Sequence, residues 1–191
     1  MASNAIEIEA KVLISAEDYK KLVRLFPYSP RYIQTNYYID TPDRVMAKEG
    51  FALRIRQKEG TYELTLKTPL STGLLEKNCT ISKDIFEEFA KHGVFPKGGT
   101  ENFLKMLDIP VEQLRILTSL TTERMDVEYQ GGLLSIDRNS YSGITDYEVE
   151  LEYNNMQGAE KILETLLKEH DIPCKFTSAT KVHRAMAALD D

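Results

Sequence analysis

Cysteine is scarce in this chain: Cys79 and Cys174 are the two thiols present. Their spacing makes no metal motif, and two such thiols need not pair. No apolar run reaches about 18 residues, so no membrane-spanning helix is expected. The opening Met1-Ala2-Ser3-Asn4-Ala5 has neither a basic start nor a hydrophobic stretch of signal-peptide type. Asn78-Cys79-Thr80 fits a glycosylation sequon, but without a secretion signal the match reads as chance. These absences together point to the cytoplasm. Positive charge is also in deficit: 24 basic residues face 30 acidic ones, for a net charge of −6. That argues against a general nucleic-acid surface. It leaves room for a small polyanion in a local basic pocket. Linkers, low-complexity tracts and internal repeats are missing too. A single domain over residues 1–191 is therefore expected, long enough for a substantial core. With 42% hydrophobic and 28% charged residues, the composition is that of an ordinary soluble globular protein.

What the chain does have is alternation. Ile6-Glu7-Ile8-Glu9-Ala10-Lys11-Val12-Leu13 alternates apolar and charged residues strictly. Successive side chains of a strand point to opposite faces. Glu7, Glu9 and Lys11 therefore share one face, and Ile6, Ile8, Ala10 and Val12 the other. Two carboxylates and an ammonium so spaced can hold a divalent cation beside a bound anion. An amphipathic strand with a solvated outer face explains the same pattern.

Further along, residues 16–26 read as a helix with Ser15 as N-cap and Pro27 just past its end. Residues 32–40 read as a strand, and 51–57 with 61–67 as a hairpin around Lys58-Glu59-Gly60. Residues 74–81 form a further strand. Ser82 caps a short helix ending at Gly93. Residues 100–117 read as one or two short helices broken at Pro110. Residues 120–129 and 133–139 make another hairpin, turned by Gln130-Gly131-Gly132. A strand over 146–153, an amphipathic helix over 157–170 and a last helical segment over 181–189 complete the chain. About eight strands, mostly in hairpins, suggest an antiparallel barrel or strongly curved sheet.

The charge alternation recurs on these strands. Arg54 and Arg56 share a face opposite Leu53 and Ile55. Glu63, Thr65 and Lys67 align, as do Thr122, Arg124, Asp126 and Glu128. Ser135, Asp137 and Asn139 lie opposite Leu134 and Ile136. Asp146, Glu148, Glu150 and Glu152 lie opposite Tyr147, Val149 and Leu151. Two arrangements fit. Either the apolar faces form the core and the charges are solvated, or charged residues line a lumen and helices cover the apolar faces outside. The charges sort into a cationic set (Arg54, Arg56, Lys67, with Arg124) and an acidic set (Glu7, Glu9, Glu148, Glu150), which favours a lumen. Mg²⁺ prefers oxygen ligands, a few carboxylates plus substrate phosphates. Guanidiniums grip phosphate through a planar fork, and lysine supplies a point charge.

In this combination the chain resembles the CYTH domain proteins, also called triphosphate tunnel metalloenzymes. The residues carrying the resemblance are Glu7, Glu9 and Lys11 as Glu-x-Glu-x-Lys, the Tyr38-Ile39-Asp40-Thr41-Pro42 stretch, Arg54 and Arg56 as Arg-x-Arg, Lys67, Arg124, Asp137 in a Leu-x-Ile-Asp context, Glu148 and Glu150 as Glu-x-Glu, and Lys181 with Arg184 one turn on. They span nearly the whole chain in family order. The resemblance implies an α+β fold: a closed eight-stranded antiparallel β-barrel, the triphosphate tunnel, with helices packed outside. It implies a triphosphate substrate with Mg²⁺ or Mn²⁺. By that analogy Lys11, Arg54, Arg56, Lys67, Arg124, Lys181 and Arg184 bind phosphates. Glu7, Glu9, Asp137, Glu148 and Glu150 hold one or two metals, with Glu152 continuing the repeat. Glu7, Glu9, Lys11, Glu148 and Glu150 form the catalytic set.

On the strand with Glu76 and Lys77, either residue can face inward. Tyr37 and Tyr38 read as packing residues, and His92, His170 and His183 as isolated surface or capping residues. The expected activity is hydrolysis of inorganic tripolyphosphate or a related triphosphate. Thiamine triphosphatase, class IV adenylate cyclase and a non-catalytic polyphosphate or nucleotide sensor are the alternatives. A small-molecule triphosphate is the expected partner, without nucleic acid or membrane, for a monomer or homodimer.

Overall fold

A computed structural model describes residues 8–69 and 74–190, with the backbone alone at 74 and 75. Glu7 lies outside the described residues. The strands are β1 (Glu9–Ile14), β2 (Arg31–Asp40), β3 (Ala52–Lys58), β4 (Thr61–Pro69), β5 (Leu74–Ile81), β6 (Arg115–Tyr129), β7 (Gly132–Tyr141) and β8 (Ile144–Glu152). The helices are α1 (Ala16–Leu25), α2 (Val45–Lys48), α3 (Lys83–His92), α4 (Gly99–Met106), α5 (Met156–Glu169) and α6 (Lys181–Ala187). The strands form one eight-stranded sheet in the order β1-β8-β7-β6-β2-β3-β4-β5.

Local chemistry explains most of these elements. Ser15 and Ser82 cap α1 and α3, accepting from Asp18 N and Ile85 N, and Asn155 caps α5, accepting from Gly158 N. Such caps satisfy amide donors that the helix itself leaves over. Three hairpins turn through two residues in the left-handed region: Glu59-Gly60, Gln130-Gly131 and Ser142-Gly143, with φ of 49 and 79°, 49 and 80°, and 44 and 76°. Such turns match the twist of the flanking strands, and glycine takes the second position without strain.

One expectation needs correcting. The helical reading of 100–117 ends early: α4 stops at Met106, Val111–Gln113 is a short 3-10 turn, and β6 already runs from Arg115. Residues 115–117 join the sheet, because a strand's fate is decided by its neighbours there. The eight antiparallel strands are present as expected, without hydrogen-bonded closure among the described residues: the sheet ends at β1 and β5. A different segment covers the outer edge of β1: Phe176 bridges Val12, and Thr177 N donates to Lys11 O at 3.0 Å. Covering an edge strand in this way blocks pairing with a further strand.

The chain divides into two compact units. One comprises Glu7–Gln34 and Thr121–His183; the other is built on Thr35–Leu120 and the C-terminal residues from Arg184. In the first, Ala10, Val12, Met125, Leu134, Ile136, Val149 and Leu151 form the apolar sheet face. They pack against Leu22 of α1 and Ala159, Leu163, Leu166 and Leu167 of α5. In the second, Ile39, Leu53, Ile55, Leu64, Leu66 and Ile81 pack against Met46 of α2, Phe89 of α3 and Leu104 of α4. Tyr37 joins that core, its ring centroid 4.8 Å from that of Phe86. Helices thus cover the apolar faces of the sheet. In the first unit the polar face of β6, β7 and β8 is nevertheless not solvated: Thr122, Asp137, Asn139 and Glu148 are all fully buried. A buried charge survives only when paired or coordinated, so this face is built around its own internal chemistry.

Candidate functional site

In the unit holding β1 and β8, strand register sets the polar face in rows. Arg124 of β6 lies opposite Asp137 of β7, which lies opposite Glu148 of β8. In the next row Asp126, Ser135, Glu150 and Lys11 follow one another across the four strands. Lys181, the first residue of α6, reaches into these rows. Its Nζ lies 2.9 Å from Asp137 Oδ2, 2.9 Å from Glu148 Oε2 and 2.7 Å from Glu150 Oε1. Arg124 donates from Nε and Nη2 to the two oxygens of Asp137 at 2.8 and 2.6 Å, and from Nη2 to Glu150 Oε2 at 2.7 Å.

Three carboxylates therefore face two cations in a dry environment. Burial opposes ionisation of Glu150, but the ammonium of Lys181 and the guanidinium of Arg124 outweigh it and hold the carboxyl down at about 2. The same balance acts on Lys181: burial disfavours its charge, and Asp137, Glu150 and Glu148 overcome that and raise its pKa. Opposite charges at close range in low dielectric produce both shifts.

Carboxylate oxygens of Asp137, Glu148 and Glu150 all lie within 4.8 Å of one another. Oxygens on opposite sides of one Mg²⁺ stand about 4 Å apart, and hard divalent cations select all-oxygen sites. This donor set therefore suits a hard divalent cation.

Around this centre the face carries further hydrogen bonds. Tyr32 Oη donates to Asp126 Oδ2 at 2.6 Å, and Ser135 Oγ to Asp126 Oδ1 at 2.7 Å. Burial, then the bond to Asp126, pushes the Tyr32 phenol up to about 12. Thr122 Oγ1 donates to Asn139 Oδ1, Asn139 Nδ2 to Asp146 Oδ1, and Tyr141 Oη to Asp146 Oδ2, at 2.7, 2.9 and 2.7 Å. Lys11 pairs with Glu9.

The other unit carries the cationic face. Arg54 lies opposite Thr65, which lies opposite Asn78; Lys67 lies opposite Ala52 and Glu76. Lys67 Nζ sits 3.0 Å from Glu76 Oε2, and Asn78 Nδ2 donates to Glu76 Oε1 at 2.9 Å. Burial raises the Glu76 carboxyl, but the Asn78 and Lys67 bonds outweigh it and hold it below its ordinary value. Arg56 Nε donates to Asn36 Oδ1 at 3.2 Å. The Nε of Arg54 is buried and makes no hydrogen bond among the described residues. A buried, unbonded guanidinium donor is costly unless an anion reaches it.

The structure brings Arg124, Asp137, Glu148, Glu150 and Lys181 into direct contact and sets Lys11 one strand from Glu150. Arg124, grouped by sequence with the cationic set, is bonded into the acidic one. Arg54, Arg56 and Lys67 share the face of β3 and β4. Glu9 is partly exposed. Glu152, opposite Glu9 in register, is exposed at the end of its strand. Arg184 stands in α6, three residues after Lys181, half-buried. Register also decides the pair that sequence left open. Glu76 shares the face of Lys67, whereas Lys77 lies on the other side, its Nζ 4.5 Å from the ring centroid of Phe103. Sequence reading missed the polar partners Tyr32 and Asn36; their period-2 spacing with Gln34 on β2 was the available signal.

The pattern of the CYTH domain matches residues 5–186. This chain belongs to the CYTH family. Among CYTH relatives, YjbK of Bacillus subtilis (strain 168), named as a proposed triphosphatase, is 32% identical over 177 residues, 92% of each chain. An inorganic triphosphatase of Haemophilus influenzae is 28% identical over 192 residues. That match takes in 93% of this chain and 53% of the relative, so the chain spans about half the relative's length. The crystal structure of a Bacillus halodurans protein, described as a candidate adenylate cyclase, superposes with a TM-score of 0.85. It is 36% identical, with 95% of this chain and 97% of that one covered. The CYTH fold of this chain is thus shared with a solved structure over nearly the full length of both.

Proposed function

We propose that this protein is a metal-dependent triphosphatase that hydrolyses inorganic tripolyphosphate or a related triphosphate, acting as a single CYTH domain. The observation that carries the reading is the buried cluster of Asp137, Glu148 and Glu150 held by Lys181 and Arg124. The triphosphatase relatives at 32% and 28% identity support it. Enclosure of the charged face is part of the reading, supported by the complete burial of Asp137 and Glu148.

In this reading Arg54, Arg56, Lys67 and Lys11 bind phosphate oxygens, with Arg124, Lys181 and Arg184 as further cationic ligands. The Nε of Arg54, without a hydrogen bond among the described residues, is placed to donate to such an oxygen. Asp137, Glu148 and Glu150 would hold Mg²⁺ or Mn²⁺, with Glu7, Glu9 and Glu152 extending the acidic row. When bound, the metal supplies charge neutralisation and a more acidic water. The residues position the chain of phosphates so that water meets the terminal phosphorus in line. A P–O bond to water forms as the bond to the bridging oxygen breaks, and pyrophosphate leaves. Little covalent chemistry falls to the protein, so positioning and charge stabilisation carry the rate.

The test is phosphate release from tripolyphosphate with Mg²⁺ or Mn²⁺. Arg56→Ala and Glu9→Ala should each reduce turnover by about 100-fold or more, the scale for losing one preorganised contact. Wild-type rates in both variants would sink the site assignment.

A second reading, class IV adenylate cyclase, is favoured by the 36% identical structure described as a candidate cyclase. In it the ribose 3′-hydroxyl of ATP replaces water as the nucleophile, and pyrophosphate is again released. Cyclic AMP formed from ATP in place of free phosphate identifies that chemistry.

A further inference from the structure

The ammonium of Lys181 stands among three carboxylates. Its Nζ lies at 2.9, 2.9 and 2.7 Å from Asp137, Glu148 and Glu150. The three carboxylates that offer oxygens within 4.8 Å of one another therefore surround an ammonium group. A Mg²⁺ ion needs its oxygens at about 2.0–2.1 Å. An ammonium centre under 3 Å from the same carboxylates leaves it no room, and two adjacent cations in a dry site repel strongly. One of the two must leave.

We infer that Lys181 is the resident counter-cation of this carboxylate triad and must vacate it before a divalent ion can enter, so that metal entry and release of the Lys181 side chain are one event. The inference rests on the metal-dependent reading above. The arrangement removes the cost of three buried, uncompensated carboxylates in the metal-free protein, a cost that would otherwise be large. It also couples the two binding partners of the site. An ammonium expelled from the triad is a free donor for a phosphate oxygen, so the anion and the metal assist each other's binding.

The chain is built to allow that movement. Lys181 is the first residue of the seven-residue α6. Residues 173–180 before it have no regular structure apart from the bridge at Phe176. The tether on the upstream side is Thr177 N bonded to Lys11 O, and Thr180 Oγ1 accepts from His183 N at the start of α6. A lysine side chain has four rotatable carbon–carbon bonds, so its head can leave while both anchors stay.

The test uses the full chain and Mn²⁺ alone, with no triphosphate, reading free Mn²⁺ by electron paramagnetic resonance. Lys181→Met keeps the length of the side chain and removes the competing charge. It should bind Mn²⁺ at least tenfold more tightly than wild type, and adding Glu148→Gln to it should abolish that gain. Equal or weaker Mn²⁺ affinity in Lys181→Met overturns the inference alone, provided Glu148→Gln still lowers binding. Mn²⁺ binding that is indifferent to Glu148→Gln overturns both the inference and the metal-site reading. A second measurement needs no variant: acetic anhydride labelling of Lys181, read by peptide mass spectrometry, should rise as Mn²⁺ is added. Labelling that stays flat through saturation also overturns the inference.

Discussion

Arg124 and Asp137 face each other across β6 and β7 and meet fork to fork, Nε to Oδ1 at 2.8 Å and Nη2 to Oδ2 at 2.6 Å. The same Nη2 reaches Glu150, so one guanidinium ties two carboxylates on two strands. Lysine cannot reproduce that geometry, because an ammonium has no planar pair of donors. Arg124→Lys should therefore lose both stability and turnover. Removing one partner of a buried pair outright costs on the order of 3 kcal/mol, and Arg124→Lys, which keeps the charge, should lose less than that. A urea melt of the metal-free protein reads the loss; an unshifted midpoint would show that the fork contributes nothing.

Glu76 and Lys77 are neighbours in sequence and lie on opposite faces. Glu76 orients Lys67 through the 3.0 Å contact, and Lys77 lies over Phe103. Glu76→Gln should raise KM for tripolyphosphate, with a smaller change in kcat. Lys77→Ala should leave both unchanged and lower stability by about 0.5–1 kcal/mol, the worth of an exposed cation–π contact. The reverse pattern would refute the assigned register.

Tyr32 supplies a pH marker. Its phenol donates to Asp126 and is pushed up to about 12 by burial and that bond. The neutral phenol is the form the fold favours. Its contribution is fully present below the unfolded tyrosine value of about 10 and is lost as pH rises through 12. Titration followed by tyrosinate absorbance should show a late step near 12 that is absent in Tyr32→Phe. A step missing from wild type would disprove the bond.

Asp40 closes β2 and starts α2. It is 2% exposed, and its carboxylate accepts from Thr41 N, Met46 N and Ala47 N at 2.7, 2.8 and 3.0 Å. Asp40→Ala leaves those donors unmet, at a cost of about 1–3 kcal/mol. Asp40→Asn keeps an acceptor and should recover part of it. Thermal melts of the two variants compare them directly; equal losses would mean that the acceptor is irrelevant.

Leu163 of α5 is fully buried against the apolar face of β1, β7 and β8. Leu163→Ala should cost about 2–5 kcal/mol through lost burial and the cavity left behind. A loss under about 1 kcal/mol in denaturant unfolding would mean that α5 packs loosely and does not hold the sheet.

Much of this molecule was legible along the chain. Ser15, Ser82 and the Lys58-Glu59-Gly60 turn bound their elements where local chemistry says they must, and the Glu-Val-Glu and Arg-Ile-Arg alternations named the residues of both charged faces. Residues 115–117 were misread because a weak helical pattern carries no record of the strand waiting to pair with it. The four-residue α2 was too short to leave a periodic signal and depends on Asp40 as its acceptor.

Alternation by itself determined which residues travel together, since side-chain direction on a strand is a local property of the backbone. It could not say which face is buried, because a period of two is the same from either side. Tertiary structure decided that, by laying α1 and α5 on the apolar face and drying the charged one. It also decided the chemistry of Glu150, whose cation Lys181 comes from 31 residues away. A carboxylate's charge state follows from what surrounds it in space, and the neighbours that hold Glu150 ionised come together only in the folded chain.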